Sequence, residues 1–454
     1  MTSSETAHNG LTPGSEHELE FTDLLATGQA VARADGLVVF CFGPLPGERA
    51  RVRVRTRKAS YAVAEMLALL RTAAERTEPF CPVFGECGGC QVQHLAYDAQ
   101  LRWKREVVCS TLQRIGGLAD VEVAETIGAQ RQRSYRNKMA LVVDRRANGP
   151  VVGFYRARSH EVVAIDACPV VEPALDAQIG ALAGAAEGSA LRTLLDESRH
   201  AVARAARGEC VVAATTQGYS GTLAAAAEQV MQELPNAVGL VDSYAPKSAN
   251  AVAGSRFAVL AGSGEVEEEI GGIRYRVSPA SFFQVNVEIV ARIFETLARE
   301  CGGAQRAVDL YCGMGTFTLF LSKLGARTIG VEENVPAVQE ARENAQRNGM
   351  SEQVAFAAMR VEQWVSSEFG RRELRRADVV FLDPPRKGSD ERTLRAIIAA
   401  KAKRILYLSC DPATLARDLR ILVTNGYALR GVQPFDMFPQ TGHVEALATL
   451  QRAE

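Results

Sequence analysis

The sequence predicts an α/β protein in which a doubly wound C-terminal sheet follows a small β-barrel and a central α+β part. Three observations carry this expectation. Beyond Ile270, short apolar strands alternate with helix-length segments, the pattern of a largely parallel sheet covered by helices. Over residues 19–58, Gly28, Gly36, Gly43 and Gly47 cut short apolar runs such as LVVFCF into the strands of a small barrel. The length, 454 residues, is too great for one core and fits two or three domains. The expected divisions are a disordered polar tail over 1–16, the barrel over 17–75, the central part over 76–270 and the doubly wound sheet over 271–454.

Hydrophobic residues make up 47% of the chain and charged ones 23%, the balance of an ordinary soluble protein. No apolar run reaches the ~18 residues of a transmembrane helix. The opening MTSSETAHNGLTPGSEHE lacks the apolar stretch of a secretory signal. A cytoplasmic protein with no membrane partner is therefore expected, and a monomer, since no obligate protein partner is indicated. The net charge of −1 argues on its face against nucleic acid. Yet residues 131–158 carry eight basic side chains and one acid, Asp144. A local patch, not the average, decides whether a phosphate backbone docks.

In chain order, the last strand of the 19–58 stretch, Arg49–Arg57, has arginine at every second position. Strand side chains alternate between faces, so five guanidinium groups line one face opposite Ala50, Val52 and Val54. Such a row is either a solvated edge guarded against aggregation or a contact for RNA phosphates. Cys81, Cys87 and Cys90 follow, packed together in a way that points to a metal or iron–sulfur site more than to disulfides in a cytosolic chain. Helices are expected over 97–112 and in the alanine-rich stretches 181–190 and 224–227.

In the C-terminal part, a strand over 308–311 runs into the glycine turn CGMGT, and a helix opens at Phe317. A strand over 328–331 ends at Glu332, a helix over Val335–Arg347 stops at Asn348 and Gly349, and strands over 378–382 and 405–409 follow. Gly313 and Gly315 allow the sharp turn and close ligand approach of a nucleotide site. Glu332, about twenty residues on, suits ribose hydroxyls. The third glycine of the dinucleotide pattern is missing, since Thr316, Phe317 and Thr318 follow Gly315. That disfavours a pyrophosphate cofactor and favours a nucleoside one such as S-adenosylmethionine, with Asp383, Pro384 and Pro385 at a further strand end.

Cys410 leaves the strand Arg404–Ser409 just before Asp411, a suitable helix N-cap, and Pro412, a suitable first helical residue. The positive end of that helix is expected to lower the thiol pKa. The alternative is a buried structural cysteine. A thiolate at this place suits uracil chemistry. Carbon 5 of uracil is a poor nucleophile until a thiolate adds at carbon 6, and a base must afterwards remove the carbon 5 proton. Glu445 is the candidate base and His443 its competitor.

Six motifs then converge: CPVFGECGGCQVQH from Cys81, SFFQVN from Ser281, DLYCGMGTFTL from Asp309, DPPRKG from Asp383, SCDPATLARDL from Ser409 and DMFPQTGHVE from Asp436. In this order they resemble the RNA uracil-5-methyltransferases, and among them the iron–sulfur-containing 23S ribosomal RNA enzymes. The resemblance implies a Rossmann-like S-adenosylmethionine domain, with Cys410 as nucleophile and Glu445 as base. It implies cofactor contacts from Gln284, Tyr311, Thr316, Glu332 and Asp383. It implies a 4Fe–4S cluster on Cys81, Cys87, Cys90 and Cys168, where chemistry alone also allows zinc. The barrel is similar to a TRAM domain, an OB-like RNA-binding module. The chain departs from the family at Met359, where relatives often have a polar cofactor contact, and at Asp411, where many have Asn. The Asp411 carboxylate is expected to face the helix N-terminus.

The implied partner is 23S rRNA, with a target uridine flipped out of its stack; transfer RNA is the alternative. Arg133, Arg136 and Lys138 are candidates to hold RNA, and Tyr135, Phe282 and Phe283 either stack bases or pack the core. Three other readings compete. They are a nitrogen methyltransferase that has no need of Cys410, a non-enzymatic RNA-binding protein and an iron–sulfur redox protein. The C-x3-C-x2-C run of radical enzymes is absent.

Overall fold

The computed structural model describes residues 10–244, 252, 254 and 256–453. Residues 1–9 of the expected tail lie outside these, while Leu11 is already buried in the barrel core. Strands β1 (Glu16–Leu24), β2 (Gln29–Ala34), β3 (Leu37–Phe42), β4 (Arg49–Arg57) and β5 (Tyr61–Arg71) close a barrel in the order β1-β2-β3-β5-β4. The sequence of β5, YAVAEMLALLR, is rich in helix formers. It is nevertheless a strand, because it pairs with both β3 and β4 and so closes the barrel. The arginine row of β4 faces glutamates of the barrel itself. Arg49 pairs with Glu18 at 2.8 Å and Arg53 with Glu16 at 2.7 Å on β1, and Arg55 pairs with Glu65 on β5. Cross-strand ion pairs thus answer a charge row that the sequence left open between solvent and RNA.

Helix α1 (Tyr97–Thr111) runs on into a π-helical turn, Leu112–Gly116. The seven-stranded central sheet contains β6 (Lys138–Arg146), β7 (Gly149–Tyr155), β8 (Val162–Ala164), β9 (Ser198–Ala206), β10 (Glu209–Thr216), β11 (Ala237–Tyr244) and β12 (Arg256–Gly262). Helices α2 (Pro173–Ala183), α3 (Ala190–Glu197) and α4 (Gly221–Glu233) share its core through Leu175, Leu194 and Leu223. The expected helix over 181–190 is corrected to two: α2 ends before Gly184, and α3 starts afresh where the Ser189 side chain accepts from Arg192 N–H.

A hairpin of β13 (Val266–Ile270) and β14 (Ile273–Val277) leads to α5 (Val287–Glu300) and the C-terminal sheet. This sheet is built from β15 (Arg306–Leu310), α6 (Thr316–Lys323), β16 (Arg327–Glu332), α7 (Val335–Arg347), β17 (Val354–Ala358), α8 (Val361–Ser366), α9 (Glu368–Arg376), β18 (Val379–Leu382), α10 (Glu391–Ala400), β19 (Arg404–Ser409), α11 (Pro412–Thr424), β20 (Tyr427–Phe435) and β21 (Glu445–Arg452). The strand order is β17-β16-β15-β18-β19-β21-β20, parallel up to β19, with β21 antiparallel to it. Alternate residues enter opposite cores. Val308, Val380 and Ile405 face one layer of helices, while Ala307, Phe381 and Leu406 face the other. The winding reverses between β15 and β18, so a crevice opens at their carboxyl ends.

The parts are locked together through α1. Val108 and Leu112 enter the core of the C-terminal sheet. Lys104, fully buried, donates to Asp436 at 2.5 Å and to the Phe438 carbonyl at 3.1 Å. Removing one partner of such a buried pair typically costs ~3–5 kcal/mol, so it pins α1 to the loop between β20 and β21. Among the described residues, no helix is long and apolar enough to cross a membrane.

Candidate active site

The crevice at the strand reversal is a cleft of about 870 Å³. That is room for a nucleoside cofactor and a flipped base together. Gln284, Tyr311, Glu332, Asp383, Cys410 and Glu445 all line it. Thr316 does not: it is buried at the start of α6, where its carbonyl accepts from the Tyr275 hydroxyl at 3.0 Å.

The strand ends explain the first half of the cleft. The chain turns sharply after β15, and Tyr311 takes a left-handed φ of 68°, a strained conformation for a residue with a side chain. Its hydroxyl lies 3.1 Å from Ser389 Oγ, which holds the ring against the wall. Gly313, also at positive φ, would point a Cβ into open space, so a ligand can come close to its backbone. Glu332, at the tip of β16, accepts from Gly313 N–H at 3.1 Å and Asn334 N–H at 2.8 Å. Those bonds leave lone pairs on both carboxylate oxygens for hydroxyl donors. Gln284 donates to Asp383 at 3.4 Å, joining the SFFQVN segment to the end of β18.

The second half is acidic. Cys410 follows β19, and Glu445 opens the neighbouring β21 with only 4% of its surface exposed. Burial pushes Glu445 up to about 8, with Asp383 adding to the rise. Burial likewise pushes Asp383 up to about 7. The expected lowering of the Cys410 pKa is corrected. Burial, then Glu445 and Asp383, push the thiol up to about 12. The helix end cannot offset this, because Asp411 takes it: its carboxylate accepts from Ala413 N–H at 2.9 Å and Thr414 N–H at 3.0 Å. Asp411 thus faces the helix as the sequence suggested.

The cation acting against the rise at both Cys410 and Glu445 is Arg386. Sequence reasoning left Arg386 out of the site, although it directly follows Asp383–Pro384–Pro385. His443 also lines the cleft but is exposed to solvent; partial desolvation by the cleft walls, then Arg386, Lys104 and Arg136, lower its pKa.

The RNA candidates separate. Tyr135 and Phe283 are buried, which assigns them to packing, whereas Phe282 is 73% exposed on the cleft wall. Arg136 lines the cleft, Lys138 donates to the Ser281 carbonyl at 3.2 Å, and Arg133 stacks on Phe80. Elsewhere in the basic stretch, Arg146 and Arg156 are tied to Asp144, Glu86 and Glu161.

Cys81, Cys87, Cys90 and Cys168 are free thiols brought together from two distant segments. Burial pushes Cys90 up to about 12, and the proximity of Cys168, Cys87 and Cys81 adds to it. Among the described residues, no three His, Cys, Asp or Glu side chains form a group that could hold a metal ion.

The family model described as tRNA (Uracil-5-)-methyltransferase matches residues 265–453. An uncharacterized RNA methyltransferase of Halalkalibacterium halodurans is 37% identical over 450 residues, covering 96% of each chain. Another, from Gloeobacter violaceus, is 37% identical over 462 residues, covering 98% of each. The structure of Pyrococcus abyssi tRNA (uracil-54, C5)-methyltransferase in complex with S-adenosyl-L-homocysteine matches with a TM-score of 0.74. It is 24% identical and covers 96% of this chain and 100% of that one, which shows a shared fold.

The buried carboxyl of Glu445 sets a pH dependence. Its pKa is raised from 4.5 to about 8, so its contribution to stability is fully present below 4.5 and lost as pH rises through about 8. Glu445→Gln removes this titration. The variant's melting temperature, followed by calorimetry across that window, is expected to gain on the wild type as pH rises. A difference independent of pH would contradict the assignment.

Proposed function

This chain belongs to the RNA uracil-5-methyltransferase family, and from that premise we propose that it methylates carbon 5 of a specific uridine in 23S rRNA through a covalent bond to Cys410. The observation that carries the reading is a thiol and a buried carboxyl, Cys410 and Glu445, in one cleft with Gln284, Tyr311, Glu332 and Asp383.

S-adenosylmethionine, when bound, supplies a methyl group on a cationic sulfur. The cleft suits it, with open space beside Gly313 and free lone pairs on Glu332. Gln284, Tyr311, Glu332 and Asp383 would hold it, and Thr316 would act only from behind the glycine turn.

Cys410 attacks carbon 6 of the uracil as a thiolate, and the displaced electron pair makes carbon 5 nucleophilic enough to take the methyl group. Because desolvation holds the free thiol neutral, its proton passes to solvent water as substrate binds, with Arg386 favouring the thiolate; Glu445 acts in its ionised form, whose share grows as pH rises toward about 8. Glu445 then removes the carbon 5 proton, and the freed pair restores the double bond and expels the Cys410 sulfur.

We assign a 4Fe–4S cluster to Cys81, Cys87, Cys90 and Cys168. The donor set is all thiol, and the four act on one another electrostatically. Methyl transfer needs no electrons, so the cluster would have a structural or RNA-positioning role.

The choice of 23S rRNA rests on the four cysteines and the TRAM-like barrel, features of the ribosomal enzymes that the sequence resembles. Transfer RNA is the second reading, favoured by the shared fold with the Pyrococcus abyssi enzyme, which is named for uracil 54 of tRNA. The protein would act in the cytoplasm as a monomer.

Labelled S-adenosylmethionine with unmodified 23S and transfer-RNA transcripts is expected to place the label on carbon 5 of uridine in the 23S transcript. Label confined to tRNA would overturn the ribosomal choice, and label on a nitrogen would overturn the chemistry. Protein purified without oxygen is expected to show the broad visible absorption of an iron–sulfur cluster, lost in Cys168→Ser. A colourless, zinc-loaded wild type would contradict the cluster.

A further inference from the structure

We propose that Gln440 is a positioning residue for Glu445, clamped from outside the C-terminal sheet by Gln91, Val92 and Gln100. The proposal rests on the reading of Glu445 as the carbon 5 base.

Residues 436–444 connect β20 to β21, bring His443 to the cleft and lead directly into Glu445. A connection of this length would ordinarily be mobile at the surface. Here its middle is buried: Gln440 is 3% exposed and takes a left-handed φ of 72°, although it is not glycine. Such a conformation persists only where the surroundings over-determine it.

The surroundings do so on several sides. Gln440 N–H donates to Gln100 Oε1 at 3.1 Å, and Gln440 Oε1 accepts from Gln100 Nε2 at 2.9 Å. The Gln440 carbonyl accepts from two successive N–H groups, Gln91 at 3.0 Å and Val92 at 3.1 Å. Gln100 is itself 1% exposed and is fixed by donating to the carbonyls of Val92 and Leu95. On one side of the clamp, Tyr135 donates to the Pro439 carbonyl at 3.0 Å. On the other, Gly442 presses on the turn after β1, where a Cβ would stand 1.7 Å from the Ala26 carbonyl oxygen.

The clamp and the nucleophile belong to different parts of the chain. Cys410 follows β19 and is carried by the sheet; Glu445 opens β21, where it pairs with Phe435, and the chain leading into it is held by residues 91–100, just after Cys90. The two residues also act at different times. Cys410 forms its bond first, and Glu445 is needed only after the methyl group has moved, to take the carbon 5 proton and release the sulfur. Loosening the clamp therefore slows release and spares bond formation. A general loss of structure would impair both.

The test uses the full chain with unmodified 23S transcript and S-adenosylmethionine. Gln100→Leu acts on the clamp without touching the cleft. Gln440→Asn is the milder variant, since asparagine tolerates a left-handed φ. Covalent protein–RNA adduct is resolved on denaturing gels and its methyl content measured, with Glu445→Gln as reference. A displacement of about 1 Å in a catalytic group costs on the order of a hundredfold in rate. Both variants are expected to release the RNA about that much more slowly, to accumulate methylated adduct as Glu445→Gln does, and to keep the KM for S-adenosylmethionine. Turnover without adduct in either variant would overturn the proposal, as would equal loss of adduct formation and release. If Glu445→Gln itself accumulates no methylated adduct, the base assignment fails and the clamp's role falls with it.

Discussion

The burial of Glu445 beside the half-buried Cys410 and Asp383 is the constraint around which the site is built. A helix N-terminus stabilises a nearby negative charge by ~0.3–1 kcal/mol at an exposed site, up to ~2 in favourable partly buried geometry, against ~1.4 kcal/mol per pKa unit. Burial of an acid is worth up to ~3–5 units in the opposite direction. The thiol rises from 9.0 to about 12, so burial prevails. Two carboxyls and a thiol in one corner also resist each other's ionisation.

Keeping those groups together requires three parts of the chain. The C-terminal sheet supplies the strand ends, with the crevice where its winding reverses. The central part supplies α1, whose Lys104 and Gln100 reach the loop before β21. The barrel closes on the same loop at Gly442. The barrel and the cysteine segment both bear on the chain that leads into Glu445.

Much of this is legible in the sequence where one local rule decides the outcome. Helix α7 has Pro336 in its first turn after the Asn334 cap and stops at Asn348, and the sequence sets it at Val335–Arg347. The strand ends bearing Glu332, Asp383 and Cys410 are equally plain, because glycine or proline follows closely. The sequence is silent where distant partners decide. Nothing local in β5 shows that it must close a barrel. Nothing in the arginine row shows that Glu16 and Glu18 lie beside it. The thiol pKa fails for the same reason: the cap at Asp411 is a local feature, but Glu445 reaches Cys410 only through the pairing of β19 with β21. Arg386 is missed because its motif draws attention to the aspartate and prolines before it.

The central claim is that the sulfur of Cys410 bonds to carbon 6 of the target uracil. RNA carrying 5-fluorouracil at the target tests it most directly, since Glu445 cannot remove fluorine as a proton. After incubation with S-adenosylmethionine, digestion and mass spectrometry, the account expects a stable adduct of methylated fluorouracil on the peptide containing Cys410, and none with Cys410→Ala. An adduct on another cysteine, or full methylation of ordinary RNA by Cys410→Ala, would contradict it.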